Sequence, residues 1–197
     1  MPLVLASASK ARRALLEAVG LEILTDPAAV DEAAVKESLA AQGAGPADIA
    51  LALAELKALR VSPRHPGLIV LGADQILECE GQRFDKPEDL AAARAQLRAL
   101  EGRRHRLISA LVALRDGQRL WHHCGEALLT MRSFSEAFLE SYLAAAGPAV
   151  LGSVGAYQLE GRGAQLFTRV EGDYFTVLGL PLLPLLDFLR LQGELAA

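Results

Sequence analysis

The segment Leu68-Ile69-Val70-Leu71-Gly72-Ala73 constrains the fold of this chain more than any other. A run with no polar alternation reads as a strand buried on both faces, which belongs inside a sheet covered by helices. It leads straight into Asp74-Gln75, so a carboxylate is expected at the carboxyl end of the strand, where open α/β sheets place their ligand crevice. The stretch Leu5-Ala6-Ser7-Ala8-Ser9-Lys10-Ala11-Arg12-Arg13 has a related design: an apolar strand enters a hydroxyl-rich turn and a basic helix start. Such a turn offers free backbone N–H groups and the positive end of a helix dipole, which suits an anion. The two segments read as halves of one phosphate-handling site.

Around them, strands and helices alternate through the first half of the chain. Leu3–Ala6 reads as a strand, and Ser9 or Ser7 can cap a helix running to Val19. A short strand over Glu22–Thr25 is followed by Asp31-Glu32 in a loop, a helical run after them to Gln42, and another helix over Ala47–Leu59 with Pro46 suited to its first turn. Beyond Asp74, Ile76–Cys79 is expected to pair with Gln82–Phe84, and Pro87 to open a helix reaching Leu100. The second half changes style. Leu107–Leu114 and Gln118–Met131 flank Asp116-Gly117, a hairpin turn signal. Ser133-Phe134-Ser135-Glu136 fits a capping box for a helix to Ala146. Gln165–Val170 and Tyr174–Val177 read as strands, and Leu182–Leu191 as a closing apolar helix. With no repeat and no linker, the reading is one α/β domain over residues 1–197, with a parallel portion early and antiparallel hairpins later.

Bulk chemistry narrows the partners. A net charge of −4 and a sequence pI of about 5.6 provide no global basic field for nucleic acid. The most apolar stretch, Val177 to Leu189, is interrupted by Pro181, Pro184 and Asp187, too short and too broken to span a bilayer. The N-terminal apolar run is too short for a signal peptide, and its charges follow rather than precede it. Cys79 and Cys124 have no zinc-like spacing, so a reduced, cytoplasmic setting is the plain reading.

Several side chains can carry chemistry. Asp74 can hold a metal or take a proton from water, although turn and cap roles are commoner for such an Asp. Asp31-Glu32 precedes a helix, where acids are ordinary; beside Asp74 it would supply the second carboxylate that magnesium wants next to phosphates. Lys57 reads either as a surface lysine paired with Glu55 or as part of a site. Lys86 just before a helix opposes the dipole, a local conflict that function can explain. Arg12 and Arg13 point about 100° apart on a helix, so only one of them faces a site.

Taken together, these segments resemble the Maf family of nucleoside triphosphate pyrophosphatases. The resemblance runs from the Leu5-Ala6-Ser7-Ala8-Ser9 start and its arginines, through Asp31-Glu32, Ala54–Ala58 around Lys57, Gly72-Ala73-Asp74 and Lys86-Pro87. It continues at Gly102 and His105, Gly155–Gly161, Glu171–Tyr174 and Val177–Leu182. It implies a mixed twisted sheet flanked by helices in two lobes around a central cleft, and often a homodimer. It implies Mg²⁺- or Mn²⁺-dependent hydrolysis of a nucleoside triphosphate to the monophosphate and pyrophosphate. Asp74 would then be the proton acceptor and, with Glu32, a metal ligand. Ser9, Arg12 or Arg13, Lys57 and Lys86 would bind phosphate oxygens.

The branch acting on dTTP and UTP carries Pro-Arg, Thr and Gln where this chain has Lys10-Ala11, Gln75 and Glu160. Gln75 and Glu160 resemble instead the branch that hydrolyses 7-methyl-GTP, since a carboxylate can accept from guanine N1–H and the exocyclic amine. That branch has a tryptophan at Ala11, and alanine cannot stack on a cationic base. A purine or modified guanine is therefore favoured weakly over dTTP and UTP. The family's link with division arrest keeps a second function in view, a nucleotide-binding regulator of septum formation. The carboxylate pair argues for the enzyme.

Overall fold

The structure, a computed structural model, describes residues 1–196. Seven strands form one mixed sheet in the order β2-β1-β3-β5-β6-β7, with β4 paired to β3, and helices flank it. β1 (Leu3–Leu5) leads into α1 (Lys10–Ala18), which begins where the Ser9 hydroxyl accepts from the Arg12 backbone N–H. β2 (Ile23–Thr25) lies parallel to β1. Asp31 caps α2 (Glu32–Ala41) by accepting from the Ala34 N–H at 3.0 Å, so Glu32 is the first helical residue rather than part of a loop. α3 (Pro46–Val61) opens on proline, whose missing N–H costs nothing at that position.

β3 (Val70–Cys79) corrects the first expectation. It is one ten-residue strand, not two, and Asp74 sits within it rather than at its end. What stops is its parallel neighbour: β1 matches β3 only at Val4↔Val70 and Leu5↔Leu71. From Leu77 onward β3 pairs antiparallel with β4 (Gln82–Phe84), as Leu77↔Phe84, Glu78↔Arg83 and Cys79↔Gln82.

Three other expectations shift for local reasons. α4 (Leu90–Leu100) is capped by Asp89, which accepts from Ala92 N–H at 2.7 Å, so the helix does not open at Pro87 and Lys86 lies upstream of it. The dipole conflict argued for Lys86 therefore lapses. β5 (Arg104–Arg115) and β6 (Gln118–Met131) meet at Asp116-Gly117 as expected, both with positive φ as a tight hairpin demands. α5 (Glu136–Ala146) is capped by Ser135 rather than Ser133, because Glu136 is engaged with Arg94 and Arg98 instead of reaching back. β7 (Phe167–Gly172) is followed by a helix, α6 (Tyr174–Val177), where the sequence suggests a strand. The Asp173 carboxylate accepts from both Thr176 N–H and Thr176 Oγ1, and that cap overrides the β preference of Tyr, Phe, Thr and Val. α7 (Leu182–Leu191) closes the chain over its expected span.

The chain divides into two compact units. The first comprises Met1–Gln75, Ile108–Gly125 and the stretch from Gly179 onward; its buried residues include Leu5, Leu16, Leu53 and Leu71. The second comprises Ile76–Leu107 and Glu126–Leu178, with a core of Leu77, Leu97, Leu107, Leu129, Leu139 and Tyr157 among others. Cys79 is buried and Cys124 is exposed, and neither is in a disulfide among the described residues. Among the described residues no helix is long and apolar enough to cross a membrane.

Candidate active site

The close approach of α3 to β3 creates the site in the first unit. A Cβ placed on Gly72 would lie 1.9 Å from the Ala54 carbonyl oxygen and 2.9 Å from Ala58 Cβ, so only glycine lets the helix lie that close to the strand. Ala54 and Ala58, four residues apart, form the flat face that meets Gly72. Lys57, one residue before Ala58, is thereby directed at Asp74, two residues after Gly72.

The result is a charge cluster in which Lys57 and Asp74 are buried and Glu32 is half-exposed. Lys57 is not a surface residue: it is 7% exposed, and Asp74 is 4% exposed. Lys57 Nζ donates to Asp74 Oδ1 at 2.6 Å and lies 2.7 Å from Glu32 Oε1, so one ammonium bridges both carboxylates. Lys36 stands at 4.0 Å from the other oxygen of Glu32. Burial pushes the Asp74 carboxyl above the ordinary range for aspartate, the nearby Lys57 and Arg12 charges pull it down, and Glu32 adds an upward push. Asp74 Oδ2 is buried and has no hydrogen-bond partner among the described residues.

Arg12 and Arg13 take opposite roles. Arg13 is exposed and pairs with Glu17 on its own helix. Arg12 is buried: Nε donates to Gly179 O at 2.8 Å, and one terminal nitrogen donates to Ala73 O at 2.9 Å and Ser7 Oγ at 3.1 Å. Its guanidinium feels both Asp74 and Glu32. Gly179 has φ +88°, and a Cβ there would crowd Arg12 Nε at 3.3 Å and lie in ordinary contact with Gln75 Oε1 at 3.6 Å. Gln75 in turn donates from Nε2 to the buried Ser109 Oγ at 3.0 Å. Arg12 thus joins α1, β3 and the turn after Leu178 into one frame around Asp74.

A Maf-like family model matches residues 2–192. The chain belongs to the Maf family. A nucleoside triphosphate pyrophosphatase of Paramagnetospirillum magneticum is 62% identical, covering 98% of this chain and 99% of that protein. A nucleoside triphosphate pyrophosphatase of Granulibacter bethesdensis is 57% identical over 96% of both. A 7-methyl-GTP pyrophosphatase of Mesorhizobium japonicum is 51% identical, covering 98% of this chain and 97% of that protein.

Of the residues singled out in the sequence, Arg12, Glu32, Lys57, Asp74 and Gln75 belong to this one frame. Ser9 serves α1 as its cap, and Ala11 is half-buried on the same helix. Lys86 and Glu160 belong to the second unit and are exposed there. Sequence reasoning misses the structural roles of Gly72, Gly179 and Ser109. The available signals are a lone glycine inside a bulky apolar strand, and a lone hydroxyl inside the apolar run of β5. In the second unit it also misses the buried role of His105, whose Nε2 pairs with Tyr157 Oη at 2.8 Å while burial pushes the imidazole down to about 4.

The donor set suits a small hard divalent cation. Magnesium and manganese take oxygen ligands, and magnesium commonly binds through one or two carboxylates together with substrate phosphates. Asp74 and Glu32 provide two carboxylates held together by one lysine, with Asp74 Oδ2 still lacking a partner. Among the described residues no group of three or more His, Cys, Asp or Glu could hold a metal by itself. The phosphates of a substrate would have to complete such a site.

Proposed function

We propose that this Maf-family protein hydrolyses nucleoside triphosphates to the monophosphate and pyrophosphate with a divalent cation, Mg²⁺ or Mn²⁺. The observation that carries this reading is the buried Asp74, with one carboxylate oxygen on Lys57 and the other without a hydrogen-bond partner among the described residues. Asp74 takes the proton from the attacking water. The water oxygen bonds the α-phosphorus, and the bond from that phosphorus to the β-bridging oxygen breaks to release pyrophosphate. Burial that raises the proton affinity of Asp74 suits this role. A bound cation supplies charge neutralisation at the phosphates and makes its water more acidic. Asp74 and Glu32 would hold it.

Lys57 and Lys86 take phosphate oxygens in this reading, Ser9 offers a hydroxyl and a helix start, and Arg12 rather than the solvated Arg13 contributes the guanidinium. Ala11, Gln75 and Glu160 set the base, with a purine or modified guanine favoured over dTTP and UTP. The 51% identical relative named 7-methyl-GTP pyrophosphatase supports that direction. The deciding experiment measures pyrophosphate release from ordinary and modified nucleoside triphosphates, with Mg²⁺ or Mn²⁺, for wild type and Asp74→Asn. Loss of general-base action should lower the rate at least ~100-fold. A folded wild type that binds nucleotide yet releases no pyrophosphate would sink the enzyme reading in favour of a binding protein.

A further inference from the structure

We infer that Lys57 is a resident counter-cation of the Asp74–Glu32 pair, which keeps divalent metal out until a triphosphate arrives to draw the ammonium away. The inference rests on the proposed function and deepens it: metal capture and nucleotide capture become one coupled event at this site.

Charges balance around the buried Lys57–Asp74 pair and the half-exposed Glu32. Lys57 Nζ lies 2.6 Å from Asp74 Oδ1 and 2.7 Å from Glu32 Oε1, so it already occupies an oxygen atom of each carboxylate a metal would use. Arg12 adds a second positive charge that interacts with both acids. Two carboxylates, one ammonium and one guanidinium cancel, and Lys36 at 4.0 Å from Glu32 tilts the rim further positive. A divalent ion entering alone would leave two uncompensated positive charges beside the buried Lys57–Asp74 pair, where screening is weaker than at the half-exposed Glu32 rim. It would also have to displace the ammonium from oxygen atoms bound at hydrogen-bonding distance.

A triphosphate reverses both objections. Its negative charge compensates the ion, and its oxygens offer Lys57 a new partner that competes with Asp74 and Glu32. Lysine suits such a transfer, being a compact point charge on a flexible four-carbon stem, whereas the Arg12 guanidinium is fixed by three hydrogen bonds. Once the ammonium has moved to phosphate, the Asp74 and Glu32 oxygen atoms it held are open to a cation. Lys57 therefore works first as a placeholder and then as a phosphate ligand. By linkage, nucleotide must tighten metal by the same factor as metal tightens nucleotide.

The test is Mn²⁺ binding to the full chain, read by electron paramagnetic resonance of the free ion, with and without an α,β-methylene triphosphate analogue that cannot be cleaved. Wild type is expected to bind Mn²⁺ weakly alone and at least ~10-fold more tightly with the analogue, a coupling of ordinary allosteric size. Lys57→Met keeps the stem and deletes the charge, so Mn²⁺ alone should bind about 10-fold more tightly than to wild type, with the nucleotide-dependent gain correspondingly reduced. Lys57→Arg retains the charge and should keep Mn²⁺ out in the absence of analogue; it also serves if Lys57→Met fails to fold, since a site that bound Mn²⁺ tightly despite that arginine would contradict the placeholder role. Wild type binding Mn²⁺ equally well with and without analogue would overturn the inference, as would folded Lys57→Met binding Mn²⁺ no more tightly than wild type. If those results accompany Asp74-dependent pyrophosphate release, only the placeholder role falls. If no triphosphate is hydrolysed at all, the proposed function falls with it.

Discussion

Replacing Gly72 by alanine adds one methyl group and should damage the site more than the removal of many larger side chains. The new Cβ would lie 1.9 Å from the Ala54 carbonyl oxygen and 2.9 Å from both the nitrogen and the Cβ of Ala58. A close C···O contact is about 3.3–3.6 Å, so α3 and β3 must part by roughly 1.5 Å. The obstacle is backbone, which cannot swing aside as the tip of a long side chain would. Overpacking of this kind costs about 1–3 kcal/mol, and a backbone clash belongs at the upper end. At roughly 2–4 °C per kcal/mol for a domain of this size, the melting temperature should fall by about 6–12 °C. The same displacement would stretch the 2.6 Å Lys57–Asp74 contact toward ~4 Å, the outer limit of an ion pair. A misplacement near 1 Å at a catalytic group costs on the order of 100-fold in rate, so pyrophosphate release should fall by about that factor at temperatures where the variant is still folded. Thermal unfolding by circular dichroism and steady-state pyrophosphate release measure the two effects separately. Adding Ala58→Gly removes the contact with Cβ but leaves the Ala54 carbonyl in place, so it should restore little. A Gly72→Ala protein that melts within about 2 °C of wild type and keeps its turnover would refute the claim that this glycine sets the helix–strand approach.

The two adjacent arginines should separate cleanly in stability. Arg12→Ala strands the Gly179 and Ala73 carbonyls, at about 1–3 kcal/mol for each buried group left unpaired, whereas Arg13→Ala removes only an exposed pair with Glu17 and should change stability by less than about 0.5 kcal/mol; urea unfolding of both variants decides. Acid stability should carry the signature of His105. Its folded-state proton affinity is pushed from 6.5 down to about 4 by burial, so its contribution is fully present above pH 6.5 and is lost as pH falls toward 4. At about 1.4 kcal/mol per tenfold change in proton affinity, the loss is roughly 3 kcal/mol. Unfolding free energies for wild type and His105→Gln, measured from pH 7 to 4, should differ in slope over that window; parallel curves would show that the buried imidazole is not what the acid transition titrates.

Much of the architecture is legible in the amino-acid sequence, and the limits have physical causes. Element types follow from caps and periodicity where one signal dominates, as at Leu182–Leu191, where the apolar face repeats at helical spacing. They fail where two local signals compete. At Pro87 a proline suited to a first turn loses to the Asp89 carboxylate, which satisfies the Ala92 N–H directly. At Tyr174–Val177 four β-favouring residues lose to Asp173, which accepts from two groups of Thr176 at once. The expectation for Asp74 rests on a partly wrong reason, since the strand bearing it continues to Cys79 and only its parallel neighbour ends.

The harder information concerns contacts between segments far apart in the chain. Lys57 alone is indistinguishable from a solvated lysine, because nothing local encodes that Gly72 permits α3 to lie against β3. Arg12 and Arg13 are equally basic and adjacent; only the 167-residue separation closed by the Arg12–Gly179 bond tells them apart. Those same long-range contacts explain why the site is built as it is. A carboxylate buried in mid-strand is expensive without a partner, and a lysine brought in by close helix packing offsets that cost while no substrate is bound. A fixed arginine would hold the charge permanently. A lysine on a flexible stem can hold it and then release it, so the residue that lets the apo fold tolerate Asp74 is also the one able to hand Asp74 over to chemistry.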